Sequence, residues 1–139
     1  MAKIMTALAK LETGMRFDAQ ATSGYHVTLD SNAESGFSPM EMLLVGLAGC
    51  TGMDVISILR KKRQDVTAYE VHVQGIRADE HPKVFVEISV EHIVTGHNIQ
   101  PAALARAIEL SETRYCGASA MLGKVARITH TYRIIDALI

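Results

Sequence analysis

The longest helical pattern in the chain covers residues 38–63, where apolar side chains recur every three or four positions. Ser38 is a favoured N-cap, Pro39 suits the first helical position, and Glu41 completes a capping box with Ser38. The basic residues at 60–63 match the negative end of a helix dipole. The pattern therefore predicts one helix of about seven turns.

The centre of this helix carries glycines at positions 46, 49 and 52, on both sides of Cys50. Each glycine costs an exposed helix roughly 1 kcal/mol relative to alanine, so the spacing indicates that another helix or a substrate approaches the backbone closely. We therefore expect the helix to be buried on nearly all sides. A simple packing site beside an inert buried thiol is the alternative interpretation.

Short apolar or alternating segments surround the helix and predict strands. They lie at residues 4–11, 15–21 and 26–30 before it, and at 68–78, 84–95 and 127–135 after it. A second helix is expected from Pro101 to about Tyr115, and one or two further turns at 118–125. The order β-β-β-α-β-β-α-α-β predicts an α+β fold with helices packed on strongly curved sheets. With no repeat or linker, residues 1–139 are expected to form a single domain.

The composition is that of an ordinary globular protein, with 48% hydrophobic and 21% charged residues. A formal net charge of −1 gives no reason to expect nucleic acid or anionic lipid as a partner. Glu41 and Asp54 bracket the most apolar stretch, and residues 1–12 lack a signal-peptide core, so no membrane span is expected. We expect a cytoplasmic protein, in which the two cysteines are reduced or catalytic.

Other common sites are not expected. The six histidines are scattered, without HxxH, HxxxH or CxxC spacing, so the sequence predicts no metal site. His72 and His92 are assigned to the polar phases of their strands, where they would be exposed or hydrogen-bonded. The glycines lie inside a helix and not before a helix N-terminus, which is where phosphate groups bind.

Three segments carry a family resemblance: residues 38–63, EHPKVF at 80–85 and ELSETRYCGASAML at 109–122. Together they resemble the OsmC/Ohr superfamily over nearly the whole chain. The resemblance implies an OsmC-like fold, in which curved antiparallel sheets surround a long central helix, and an intertwined homodimer with two active sites at the subunit interface. After Cys116 the chain reads Gly-Ala-Ser where better-characterised peroxidase branches have Pro-Val-Ser, and it is most similar to a shorter OsmC-like branch.

The same resemblance implies the reduction of hydroperoxides. Cys50 matches the family's peroxide-attacking thiol and Cys116 its resolving thiol, whereas Arg16 and Glu41 match the arginine and glutamate that ready the thiolate. Cys50 would become a sulfenic acid, and Cys116 would condense with it to a disulfide that an external dithiol reduces. Such a cycle needs no bound metal or cofactor, and its partners are the second subunit, the hydroperoxide and the dithiol.

Thiol chemistry leaves alternatives open. An unperturbed thiol has a pKa of about 8.5, and the helix dipole lowers the pKa of Cys50 little because Cys50 lies in the middle of the helix. Arg16 would therefore have to supply the positive charge that stabilises the thiolate, and Glu41 would hold the Arg16 guanidinium in place. The simpler interpretation is that Glu41 only completes the capping box and that Arg16 is a solvent-exposed strand residue. Cys116 lies at a helix break, where thiol pKa values fall, and could be the attacker instead. A non-catalytic dimer that binds a small molecule or lipid, with passive cysteines, is the alternative function.

Overall fold

A computed structural model describes residues 3–138 and has the α+β architecture that the sequence predicted. The chain divides into two compact units, the first ending at Leu43 and the second beginning at Leu44. The elements, in chain order, are β1 (Ala7–Thr13), β2 (Arg16–Ala21), β3 (His26–Asp30), α1 (Pro39–Lys61), β4 (Asp65–Arg77), β5 (Phe85–His97), α2 (Pro101–Leu110), a π-helical turn (Ser111–Tyr115), α3 (Gly117–Leu122) and β6 (Arg127–Asp136). Predicted bounds and observed bounds differ by a few residues at most.

The N-terminal unit is built on an antiparallel sheet with the strand order β1-β2-β3. Gly14 has a φ of 53°, a left-handed conformation that glycine adopts without steric cost, and it forms the turn between β1 and β2. Asp30 ends β3 and organises the loop that follows, because its carboxylate accepts hydrogen bonds from Asn32 N at 3.0 Å and from Ser35 Oγ at 2.8 Å. This loop leads to the capping box that starts α1.

The C-terminal unit contains a sheet with the order β4-β5-β6, in which β4 and β5 are antiparallel and β5 and β6 are parallel. This sheet is therefore mixed, where the family resemblance implied curved antiparallel sheets. The reason is the helical connection between β5 and β6, which returns the chain to the end where β5 began, as parallel pairing requires. The core of this unit contains Val55, Leu59, Val94, Ile99, Leu104, Ala107 and Ile108.

Helix α1 is buried along one stripe, formed by Leu47, Thr51, Val55 and Leu59. The expectation of burial on nearly all sides is wrong for the single chain, since Met53 is 72% exposed. A Cβ added at Gly52 would lie 3.2 Å from Val71, whereas none of the described residues comes within 4 Å of a Cβ added at Gly46 or Gly49. Helix α1 is long and apolar enough to cross a membrane, but core helices of other proteins share this length and composition. Val55 and Leu59 of α1 lie in the core of the C-terminal unit.

The predicted helix from Pro101 to Tyr115 is two segments in the structure. Helix α2 ends at Leu110, and a π-helical turn continues from Ser111 to Tyr115. The wider turn is closed by a hydrogen bond from Cys116 N to Ser111 O at 2.8 Å. Isolated π-helical turns are frequent at functional sites. Here the turn sets the position of Cys116, which is the N-cap of α3.

Candidate active site

The two cysteines meet inside the C-terminal unit. Cys50 lies in the middle of α1 and is half-buried, whereas Cys116 precedes α3 and is 3% exposed. Both are free thiols, and their sulfur atoms and a carboxylate oxygen of Asp54 all lie within 4.8 Å of one another. The structure thus brings together the attacking and resolving residues that the family resemblance implied. A disulfide between them would require the two sulfur atoms to approach to about 2.05 Å.

Backbone geometry places the Cys116 sulfur at the start of α3. Cys116 has an extended conformation, with φ −82° and ψ 105°, so that its side chain acts as the cap of the following helix. Its Sγ accepts a hydrogen bond from Ser119 N at 3.3 Å. Thr51 Oγ1, from the buried stripe of α1, lies 3.6 Å from the same sulfur. A thiolate on Cys116 therefore has hydrogen-bond donors on two sides.

These contacts shift the pKa of Cys116 downward. Burial is the largest influence and raises the pKa, but hydrogen bonds from Ser119, Cys50 and Thr51 outweigh it. The net pKa of Cys116 lies below its ordinary value. The position of Cys116 at a helix break predicted this direction from the sequence.

Cys50 shifts the opposite way. Burial is the main factor that raises its pKa, and the hydrogen bond from the Ala118 backbone opposes it. Cys116 and the carboxylate of Asp54 raise the pKa of Cys50 further. The first proton lost from this pair of thiols therefore comes mainly from Cys116, and the second thiolate is disfavoured by the first.

Asp54 is a member of this cluster that the sequence analysis missed. It lies four residues after Cys50 on α1, and therefore on the same helix face. Its Oδ2 accepts a hydrogen bond from Ser111 Oγ at 3.0 Å, which ties α1 to the π-helical turn. Asp54 and Tyr115 also line a pocket of about 390 Å³. The spacing of four residues from Cys50 is a signal of this contact in the sequence, where Asp54 otherwise only interrupts the apolar stretch.

Arg16 and Glu41 belong to the N-terminal unit, where each makes local contacts. Arg16 opens β2, and its Nε lies 3.2 Å from Glu12 Oε1 in an ion pair whose side chains are 41% and 44% exposed. Glu41 forms the predicted capping box, accepting from Ser38 N at 2.8 Å and donating its backbone N–H to Ser38 Oγ at 3.2 Å. Their part in thiol chemistry stays a prediction.

A second polar cluster, also missed by the sequence analysis, crosses the sheet of the C-terminal unit. His92 Nδ1 lies 2.7 Å from Tyr69 Oη, and His92 Nε2 lies 3.0 Å from His130 Nδ1. The assignment of His92 to a polar strand phase is wrong, because His92 alternates in step with Val90 and Val94 and is fully buried. Burial, followed by the charge of His130, lowers the pKa of His92 to about 4.

The model of the family described as OsmC-like protein matches residues 31–131. Protein YhfA of Escherichia coli K12 is 41% identical over 134 residues, which cover 96% of this chain and 100% of YhfA. The crystal structure of a hypothetical protein from Aquifex aeolicus VF5 is 28% identical, with a TM-score of 0.90 and coverage of 99% of this chain and 100% of that one. The fold also matches an organic hydroperoxide resistance protein OsmC from Legionella pneumophila, at 12% identity and a TM-score of 0.70, with coverage of 95% and 98%. The chain therefore belongs to the OsmC-like protein family.

Proposed function

We propose that the protein reduces hydroperoxides with its two cysteines, Cys50 attacking the peroxide and Cys116 resolving the product. The observation that carries this proposal is the approach of the two sulfur atoms to within 4.8 Å, although the residues come from different elements. Membership of the OsmC-like family supports it, as does the fold shared with the Legionella pneumophila protein whose description names organic hydroperoxide resistance.

The chemistry proceeds in three balanced steps. The Cys50 thiolate attacks the O–O bond, forming a sulfenic acid and releasing the alcohol once one proton is supplied. The Cys116 thiolate then attacks the Cys50 sulfur, so that an S–S bond forms and the oxygen leaves as water after protonation. An external dithiol takes the two oxidising equivalents and restores both thiols. No bound cofactor enters this cycle.

The exposure of the two thiols supports this division of roles. Cys50 is half-buried, so a peroxide reaches it more readily than it reaches Cys116, which is 3% exposed. A resolving cysteine must attack as a thiolate, and the lowered pKa of Cys116 suits that step. The raised pKa of Cys50 means that a cation must assist its ionisation. We assign that role to Arg16, held by Glu41, in a homodimer, as the family resemblance implies, and we place the protein in the cytoplasm.

A pocket that is lined by Asp54, but by neither cysteine, would suit an organic hydroperoxide. Its volume of about 390 Å³ accommodates a small organic molecule, and Ile58, Leu110 and Tyr115 give it apolar surface next to Asp54. Lys61 and Lys62 also line it and would favour a substrate with a carboxylate.

The decisive experiment treats fully reduced protein with one equivalent of an organic hydroperoxide such as cumene hydroperoxide. Free thiols and intact mass are then measured. We expect the loss of both thiols and of two hydrogens, which a dithiol reverses. The Cys116→Ser variant should accumulate a sulfenic acid on Cys50 that dimedone traps, and the Cys50→Ser variant should leave the peroxide unconsumed.

Two other outcomes would contradict the proposal in different ways. Thiols that remain free after exposure would favour the non-catalytic dimer that binds a small molecule or lipid. Dimedone labelling of Cys116 in the Cys50→Ser variant, together with an unreactive Cys116→Ser variant, would exchange the roles of the two cysteines.

A further inference from the structure

We propose that Cys50, Cys116 and Asp54 form a Zn²⁺-binding site in the reduced protein. Their three ligand atoms all lie within 4.8 Å of one another. Thiolate sulfur and carboxylate oxygen are both established ligands of zinc. The sequence predicted no metal site because its histidines are scattered and its cysteines are far apart, whereas these ligands come from two separate elements.

The geometry suits a tetrahedral ion. With zinc–sulfur bonds near 2.3 Å and zinc–oxygen bonds near 2.1 Å, tetrahedral ligand atoms lie about 3.6 to 3.8 Å apart. A contraction of about one ångström at most brings the three observed atoms to that spacing. Cys50 and Asp54 offer ligands from one face of α1, and Cys116 offers the third from the start of α3. A water molecule would complete the tetrahedron as the fourth ligand.

The electrostatics of the cluster favour a cation. When both thiols are ionised, the cluster holds three negative charges whose ligand atoms all lie within 4.8 Å of one another. A divalent ion among the three groups offsets their repulsion, because every negative charge then stabilises the complex.

The surroundings also supply outer-shell contacts. Ser111 Oγ donates to Asp54 Oδ2 at 3.0 Å and fixes the orientation of the carboxylate. Ser119 N lies 3.3 Å from Cys116 Sγ and donates to it. Contacts of this kind hold metal ligands in place, and their loss typically lowers metal affinity by about 10- to 100-fold.

Metal binding and disulfide formation exclude each other, because both use the two sulfur atoms. Binding of one Zn²⁺ displaces two thiol protons. Oxidation of the zinc form by one hydroperoxide consumes two protons and yields the disulfide, an alcohol, water and free Zn²⁺. This release rests on the proposed function, whereas zinc binding itself does not.

The test is a titration of reduced, tag-free protein with Co²⁺ and then Zn²⁺, without peroxide. We expect one Co²⁺ per chain, with the intense visible bands of tetrahedral cobalt and a near-ultraviolet thiolate-to-cobalt charge-transfer band, and displacement by Zn²⁺. The Asp54→Asn variant keeps the side-chain shape and should bind at least about tenfold more weakly. Asp79→Asn, at an exposed position in the β4–β5 turn, is the matched control and should bind like wild type.

Circular dichroism of each variant verifies folding before the titration. Absence of the charge-transfer band in wild type, its persistence at full strength in Cys50→Ser or Cys116→Ser, or unchanged affinity in Asp54→Asn would each overturn the site. Binding of Co²⁺ by a protein that leaves hydroperoxides intact would overturn only the peroxidase. Peroxide reduction without metal binding would overturn only the zinc site.

Discussion

His92 Nε2 lies 3.0 Å from His130 Nδ1, and the two imidazole rings meet edge to edge, with their planes 21° apart and their centroids 5.2 Å apart. Tyr69 Oη and Glu112 Oε2 extend the chain at either end, at 2.7 Å from His92 Nδ1 and 3.5 Å from His130 Nε2. The Tyr69–His92 and His92–His130 hydrogen bonds are satisfied when both imidazoles are neutral, with Tyr69 donating to His92 and His92 donating to His130, whereas His130 Nε2 has no hydrogen-bond partner among the described residues. An added proton on His92 would place a charge in a fully buried site, and Tyr69 Oη would have to accept a hydrogen bond from His92 Nδ1 instead of donating one.

The pH dependence of stability follows from this cluster. The pKa of His92 is about 4 in the folded protein and 6.5 ordinarily, so between these values the unfolded chain binds more protons. Stability is therefore complete above about pH 6.5 and falls as the pH drops toward 4, by on the order of 3 kcal/mol. Urea unfolding at a series of pH values measures this loss. The slope between pH 5 and 6.5 should persist in His72→Gln, whose side chain is exposed, and diminish in His92→Gln.

Thr51 is expected to stabilise the thiolate of Cys116. Thr51→Val preserves the shape of the buried side chain but removes the hydroxyl 3.6 Å from Cys116 Sγ, so the pKa of Cys116 should rise. The measurement is a pH titration of thiolate absorbance in the Cys50→Ser background. Thr131→Val, at an exposed strand position, is the control. An unchanged titration curve in Thr51→Val would show that the Thr51 hydroxyl does not stabilise the Cys116 thiolate.

Arg16 is expected to matter for activity far more than for stability. Its ion pair with Glu12 is exposed, and such pairs contribute about 0 to 1 kcal/mol. Arg16→Ala should therefore unfold at nearly the wild-type urea concentration, yet lose at least about tenfold in kcat/KM with an organic hydroperoxide. Glu12→Ala removes the ion pair and keeps the arginine, so it should retain activity. Equal turnover in Arg16→Ala and wild type would exclude Arg16 from the site.

Glu41 has a capping role in the structure and a catalytic role only by family resemblance, and two substitutions separate them. Glutamine also completes a capping box, so Glu41→Gln should leave the free energy of unfolding within a few tenths of a kcal/mol of wild type. Glu41→Ala loses the bond to Ser38 N and should cost about 1 kcal/mol. A catalytic carboxylate predicts low activity in both variants. Full activity in Glu41→Gln would show that Glu41 acts only in the capping box.

The sequence predicted those features that short-range physics determines. Ser38, Pro39 and Glu41 define the start of α1 through local hydrogen bonds, and the structure begins the helix at Pro39. The proximity of Cys50 to Cys116 came from family resemblance, because spacing along a chain does not reveal long-range contacts. Asp54 contacts Ser111 of the π-helical turn, and no local sequence pattern predicted that turn.

His92 shows a different limit of sequence analysis. The alternation of residues along β5 puts His92 on the same face as Val90 and Val94. Its polar side chain instead favoured the prediction that it lies in the polar phase of the strand. The partners that make its burial tolerable, Tyr69 and His130, come from two other strands. A buried polar group needs such partners, and only the tertiary structure identifies them.

The last prediction is that each active site is shared between two chains. Glu41 and Cys50 are nine residues apart, and in an ideal helix that spacing amounts to about 13 Å along the axis and about half a turn around it. Helix α1 is continuous from Pro39 to Lys61, so one arginine is poorly placed to serve both side chains of a single copy. Two such helices packed antiparallel would bring the Glu41 end of one toward Cys50 of the other.

Complementation tests this arrangement. Cys50→Ser and Glu41→Ala subunits are each expected to be inactive, and they are mixed under conditions that exchange subunits, with exchange verified by mass spectrometry of differently labelled chains. A shared site gives a mixed dimer with one complete site, because one chain supplies Cys50 and the other supplies Glu41, so turnover should recover to at most half of the wild-type value per mixed dimer. If both residues serve the site of their own chain, neither site of the mixed dimer is complete, and inactivity despite verified exchange would establish that arrangement instead.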